Sequence, residues 1–402
     1  MLAAMLPRAR PKRDERLLTS RQAAERLGVK LETLYAYVAR GLLRGIAKNG
    51  ASEQGRRYAE HELDGFLARR RWSRRVVASA VSSTDGGRLV YRGRDAVALA
   101  ERASFEQVAS LLWTGELGPA GDWPEVETGT IESATRAARA VPGAPPLVAM
   151  QVLVAALAVA DDTRQGMDAG SVGATAVRLI TRLVAALAVV RGTPVARSSR
   201  GPMAARVLSA LGGRPGPASK RMTERALALS AEHELNASTF AARVAASTEA
   251  DPYAVVGAGI ATLSGPKHGG MTDRVDAIFR APSSPDEEVP LGFGHPLYPD
   301  GDPRAPPLLA AARRTGVPHG APALDGLFAR LDAMAARGRP APTIDVGLVA
   351  TSVALGLEPG LASVLFALGR TAGWIAHAIE QYGTGELIRP RARYVGPALG
   401  ED

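Results

Sequence analysis

From residue 76 onward the chain is a succession of Ala/Leu-rich segments with helical periodicity, cut by Gly/Pro breaks such as Pro142–Pro146 and Gly212–Pro217. Ala and Leu are strong helix formers, whereas sheet-rich chains lean on aromatic and β-branched residues. Only 5% of the 402 residues are aromatic, against 46% hydrophobic overall. The pattern therefore predicts a mainly α body, with a short strand pair over Val81–Tyr91 turning at Asp85-Gly86-Gly87 as its exception. The longest apolar run, Leu147–Ala160, has 14 residues and contains Gln151, short of the roughly 20 that span a bilayer. Val177–Val190 is interrupted by Arg178 and Arg182 and reads as a core helix. No membrane span or secretory signal is expected. Zero Cys removes disulfides, thiol nucleophiles and cysteine zinc sites, and a reducing, cytoplasmic setting is expected.

Charge divides the chain. The first 75 residues hold 18 Lys/Arg and 8 Asp/Glu, a net of +10, within an overall +9, so the remainder is close to neutral. Residues 1–16 read as a loose basic arm. Residues 17–72 read as helix, Gly28 turn, second helix over Leu31–Arg40, a basic hairpin ending Gly55-Arg56-Arg57-Tyr58, and a third helix over Glu60–Arg71. This is the layout of a winged helix-turn-helix, whose second helix enters the major groove while the wing touches backbone. Lys30, Thr33 and Tyr35 would face DNA from the helix, and Arg56 and Arg57 from the wing. Leu18–Val29, Thr33–Leu43 and the Gly55–Tyr58 element resemble the DNA-binding domain of MerR-type regulators and excisionases. The alternative is a helical interaction domain with a solvated basic face, which Glu32 inside the recognition helix favours.

In the body, the phosphate-loop, dinucleotide-binding and nucleophile-elbow motifs are absent, and His233-Glu234 lacks the second His of a zincin because position 237 is Ala. His233 precedes Asn236-Ala237-Ser238-Thr239. His268 sits in Ser264-Gly265-Pro266-Lys267-His268-Gly269-Gly270, and His295 in Gly292-Phe293-Gly294-His295-Pro296, before Asp302-Pro303-Arg304. Glycines on both sides of an imidazole let backbone and ligand approach closely. Asp345 lies in the apolar run Ile344–Val349 and is either a buried base or the N-cap of the following helix. Arg370, Arg389 and Arg391 follow, and Arg suits bidentate carboxylate binding.

These segments, with Ser83–Asp95, Gly369–His377 and Ile388–Arg391, resemble citrate synthase in order and content over about residues 76–397. The resemblance implies a two-domain helical fold. Residues 73–216 and 336–402 would form a large domain and 217–335 a small one, with closure over substrate in a homodimer. It implies Asp345 as the base toward acetyl-CoA, His268 as the neutral enol stabiliser and His295 as the acid on oxaloacetate. His233, Arg304 and Arg370 would hold the oxaloacetate carboxylates, with Arg389 contributed across the dimer interface. Acetyl-CoA, or propionyl-CoA in a 2-methylcitrate synthase, would be a co-substrate, with no bound cofactor and no metal. The product would serve the tricarboxylic acid cycle. Three departures bear on the CoA side: Pro296 and Pro299 replace cations, Met271-Thr272-Asp273-Arg274 replaces the usual motif, and the interval from His268 to His295 is short. A reading of another class is a DNA-binding regulator whose body senses a di- or tricarboxylate.

Overall fold

Thr19 opens the first described helix by a reciprocal cap: its hydroxyl accepts from the Gln22 N–H while the Gln22 side chain reaches back to the Thr19 backbone. The structure, a computed structural model, describes residues 17–29, 31–39, 43, 46, 56–60, 62–63, 77–195, 199–281, 291–314, 321–392 and 394–396. The chain divides into two compact units, Met1–Ala78 and Ser79–Asp402.

In the first unit, β1 (Leu17–Thr19) leads into α1 (Ser20–Leu27), which Gly28 ends in the left-handed conformation, φ 62°. Next come α2 (Leu31–Ala39) and β2 (Arg57–Ala59). β2 pairs antiparallel with β1, Leu18 opposite Tyr58, and Arg57 also bridges to Ile46. Ala23, Ala24, Leu27, Leu34, Tyr58 and Leu63 fill a small separate core. The arm over 1–16 and most of the expected third helix lie outside the described residues.

The second unit begins with a three-stranded antiparallel sheet, β3 (Ser82–Ser83), β4 (Val90–Tyr91) and β5 (Arg94–Asp95). It is one strand more than the pattern predicted. Helices follow: α3 (Ala96–Arg102), α4 (Phe105–Thr114), α5 (Glu132–Arg139), α6 (Pro146–Val159), α7 (Ala169–Val190) and α8 (Met203–Ala210). After them come α9 (Pro217–Ser230), α10 (Ala237–Ala246), α11 (Pro252–Leu263), α12 (Gly270–Arg280), α13 (Ala305–Arg314), α14 (Ala321–Ala336), α15 (Ile344–Ala354) and α16 (Leu361–Thr384). By length and composition α7 and α16 could each cross a bilayer, yet 67% and 94% of their apolar windows are buried inside the unit. The charges on α7 are accommodated: Arg178 binds Asp161 through two nitrogens, at 2.9 and 3.2 Å, and Tyr253 donates to the same carboxylate. α16 is the central axis. Gly259 of α11 lets it approach, because a Cβ there would lie 2.5 Å from the Trp374 ring.

Candidate active site

The site is assembled at helix ends around α16. α9 finishes at Ser230, and the following turn holds His233, with Glu234 in the left-handed region at φ 55°, before Asn236 caps α10. The buried Tyr91 hydroxyl fixes this turn, lying 3.0 Å from Glu232 O and accepting from Glu232 N–H. His268 sits in the turn between α11 and α12. Gly270 is required there, because a Cβ would lie 2.5 Å from Ser264 O. His295 lies on a loop where Gly292 and Gly294 adopt φ 82° and 71°. Two bonds tie that loop to the entry of α15: Gly294 N–H donates to Ala341 O and Thr343 N–H to Gly292 O. Asp345 is the second residue of α15, whose N-cap is Thr343, so Asp345 is not the cap.

These elements bring His233, His268, His295, Arg304, Asp345 and Arg370 onto one cavity of about 350 Å³. Met271, Leu291, Phe293 and Phe366 make its apolar wall. Arg389, the seventh residue expected here, is not among them; it is exposed beyond α16, in a surface cleft with Pro390, Arg391 and Ala392.

Burial and neighbouring guanidiniums lower all three imidazoles and so disfavour their charged forms. His233 is held well below its ordinary value by burial, then by Arg304 and Arg370. His268 is pushed down to about 4 by burial and Arg370, and His295 is lowered by burial and Arg304. Leu297 N–H donates to His295 Nδ1 at 3.2 Å, which leaves the ring hydrogen on Nε2, available to a ligand oxygen. His268 Nε2 lies 2.8 Å from Ser238 Oγ, which is also 2.8 Å from Asn236 Oδ1. Ser238 gives its one proton to that Asn236 oxygen and accepts from Trp374 Nε1–H at 3.2 Å. Burial raises the Asp345 carboxyl, against hydrogen bonds from Thr272 and Thr343 that lower it.

The two arginines differ. Arg304 donates from Nε and Nη2 to the two oxygens of buried Asp302, both at 2.8 Å, so its charge is already paired. Arg370 gives Nε to Ser230 O at 2.7 Å, but its buried Nη1 and Nη2 have no partner among the described residues. Burial pushes it down to about 10. An unpartnered buried guanidinium fork is expensive unless an anion meets it.

No group of three or more His, Asp or Glu among the described residues could hold a metal ion. Of the residues expected at DNA, Arg57 is exposed, and Tyr35 and Arg56 are half-buried. Lys30 and the Thr33 side chain lie outside the described residues. The motifs gave no role to Tyr298, Asp302, Thr272 or Thr343. Tyr298 is buried with its hydroxyl 2.9 Å from His233 Nε2, and its ring centroid is 5.0 Å from that of His295. Asp302 holds Arg304 and accepts Ile344 N–H at the start of α15. Only the Asp-Pro-Arg string marked Asp302; the other three sit in no motif whose chemistry announces them.

Neutral imidazole donors, a carboxylate and buried guanidiniums on one cavity suit acid–base chemistry on an anionic substrate. Comparison with known proteins makes this specific. The sequence pattern for "Citrate synthase, C-terminal domain" matches residues 72–391, and that for "Helix-turn-helix domain" matches residues 17–71. Citrate synthase 2 of Bacillus subtilis is 32% identical over 350 residues, 80% of this chain and 94% of that one. The 2-methylcitrate synthase 2 of Corynebacterium glutamicum is also 32% identical, over 77% of this chain and 88% of that one. The fold matches Thermoplasma acidophilum citrate synthase, solved with carboxymethyl coenzyme A and oxaloacetate. The TM-score is 0.69 at 26% identity, over 82% of this chain and 96% of that one. The chain belongs to the citrate synthase family and is an enzyme of that type, preceded by a helix-turn-helix domain.

Proposed function

We propose that the body condenses acetyl-CoA with oxaloacetate to give citrate and free CoA. Asp345 takes a proton from the acetyl methyl while His268 donates to the thioester oxygen, stabilising the enol. The enol carbon attacks the oxaloacetate keto carbon as His295 Nε2–H protonates its oxygen. Water then cleaves the citryl thioester, releasing the CoA thiol. Arg370, Arg304 and His233 hold the carboxylates. The unpaired fork of Arg370 beside three neutral imidazoles is the observation that carries this reading. Acyl-CoA is a co-substrate rather than a resident cofactor, and citrate would feed the tricarboxylic acid cycle in the cytoplasm. Thiol release with oxaloacetate and acetyl-CoA, compared with Asp345→Ala, tests it; no release from the wild-type protein refutes it. Propionyl-CoA in the same assay tests a 2-methylcitrate synthase, a reading favoured by the equal identity to a relative of that name.

The active form is a homodimer in this reading, with residues 217–335 moving as the small domain over the cleft. α6 is apolar apart from Gln151, yet Val148, Ala155 and Val159 are exposed on it, Val159 to 79%. A helix apolar all round is normally covered, and a second copy would cover it. That copy would bring its own Arg389 toward the carboxylates. Residues 17–72 would bind DNA through Lys30, Thr33, Tyr35, Arg56 and Arg57. Retention of the full chain on DNA at low salt, lost steeply as salt rises, is the test. If DNA is retained and no thiol is released, the carboxylate-sensing regulator replaces the enzyme.

A further inference from the structure

Asp345 is held at both oxygens. Thr272 Oγ1 donates to Oδ1 at 2.6 Å from the first turn of α12, and Thr343 Oγ1 donates to Oδ2 at 3.0 Å. Both threonines are buried, Thr272 completely. Thr343 is the more telling. It occupies the N-cap of α15 with extended backbone, φ −90° and ψ 176°, where a Thr hydroxyl ordinarily accepts a free N–H of the first turn. It makes no such bond. The hydroxyl is turned to the carboxylate instead, while the Thr343 N–H holds Gly292 O at 2.8 Å, three residues before His295. One residue thus ties the carboxylate to the loop of the opposing imidazole. A helix cap is given up to do so, and helix stability supplies no reason for that.

We propose that Thr272 and Thr343 are positioning residues that clamp both Asp345 oxygens, keeping the carboxylate ionised and aimed at the substrate methyl. This rests on the reading of Asp345 as the base. Each hydroxyl uses one lone-pair direction of its oxygen and leaves the others for the cavity. Hydrogen bonds to the charged form oppose the effect of burial, so the clamp sets where the base titrates. The other charged groups around Asp345 are Asp302 and Arg304 from the segment before α13, His295 from its loop and Arg370 from α16. α12 turns Thr272 toward it; of its acids, Asp276 is engaged by Arg280, and burial raises Asp273, whose Oδ1 has no partner among the described residues. On α9, Glu224 accepts from Phe105 N–H and Arg225 pairs with Glu101; on α14, Arg330 donates to Ile278 O.

The test is the pH profile of kcat/KM for the full chain carrying Thr272→Val or Thr343→Val. Each removes one donor at nearly constant volume. The acidic limb is expected to rise by about one pH unit in each, since a lost hydrogen bond disfavours the carboxylate. At neutral pH kcat falls about tenfold, and KM for oxaloacetate is unchanged. The corresponding Ser variants restore the limb. Valine variants whose limb stays at the wild-type pH overturn the clamp, whatever happens to kcat; where a Val variant does not fold, Ala at that position carries the same test. Asp345→Asn separates the two readings. If it turns over at the wild-type rate, Asp345 is not the base and both fall. If it is inactive while the Val limbs stay fixed, only the clamp falls.

Discussion

Arg21 and Arg57 of the N-terminal unit and the buried arginines of the body use the same side chain in opposite ways. Arg21 and Arg57 lie at the surface, where their charge is solvated, and Arg26 there pairs with Glu60 at 3.1 Å. The body buries Arg206, Arg243, Arg304 and Arg370 to 1–2% exposure. Three of those four meet protein partners. Arg206 donates to the carbonyls of Gly201, Pro124 and Trp123; Arg243 reaches Glu380, Gln381 and His377; Arg304 is bound by Asp302. Arg370 alone among them presents two nitrogens without a partner among the described residues. Buried charge that meets protein builds the fold, and buried charge left open toward a cavity marks where a small anion belongs.

The largest test separates charge from chemistry. Asp345→Ala removes the proposed base and leaves every arginine in place. Thiol release is expected to fall by about 10²–10⁴-fold, the usual range for a general base, while oxaloacetate binding measured by calorimetry stays near wild type. Binding lost together with turnover would mean that the arginines alone do not hold the dianion.

Next, Arg370→Met and Arg243→Met set the two kinds of buried arginine against each other. For Arg370→Met, KM for oxaloacetate should rise on the order of 10- to 100-fold, the worth of a charge-assisted hydrogen bond. Its melting temperature should hold or increase, because an unpaired buried charge is gone. Arg243→Met takes the cation from Glu380 and one partner from His377 and should cost about 3–5 kcal/mol of stability with KM little changed. The reverse pattern would break the distinction drawn here.

How much of this was legible in the sequence follows the same line. The imidazoles and Asp345 stand out because glycine-rich turns and an apolar run isolate them, and the Gly/Pro breaks mark most helix boundaries. Pairing is not legible. Nothing in the string tells that Arg304 is spent on Asp302, two residues away, while Arg370 in mid-helix is open. Thr343 reads as an ordinary polar residue beside Pro342, and its cap geometry exists only once α15 forms. The 24-residue α16 was hidden as well, because Arg370 and His377 interrupt an apolar pattern whose other faces are all covered.

A third expectation concerns stability against pH. His268 has a folded value of about 4, below the ordinary 6.5, with burial as the first cause. Between those values the unfolded chain binds a proton that the folded chain refuses, so stability falls as pH drops from about 6.5 toward about 4. His233 and His295 are shifted in the same direction. His268→Asn should therefore flatten, without abolishing, the fall in melting temperature between pH 7 and 4.5. An unchanged slope would mean that His268 is protonated as readily folded as unfolded.

The smallest effect belongs to Arg56 and Arg57 of the N-terminal unit. Arg56→Ala and Arg57→Ala together should lower the slope of log affinity for DNA against log salt by about 2, roughly one for each lost phosphate contact. Thiol release should be untouched, because the wing carries none of the cavity's side chains. A slope that stays the same would place the polyanion contacts elsewhere in the basic unit and leave Arg56 and Arg57 no part in them. Turnover that changed with the wing would mean that DNA-facing charge and buried charge are coupled, contrary to the separation argued from Arg57 and Arg370.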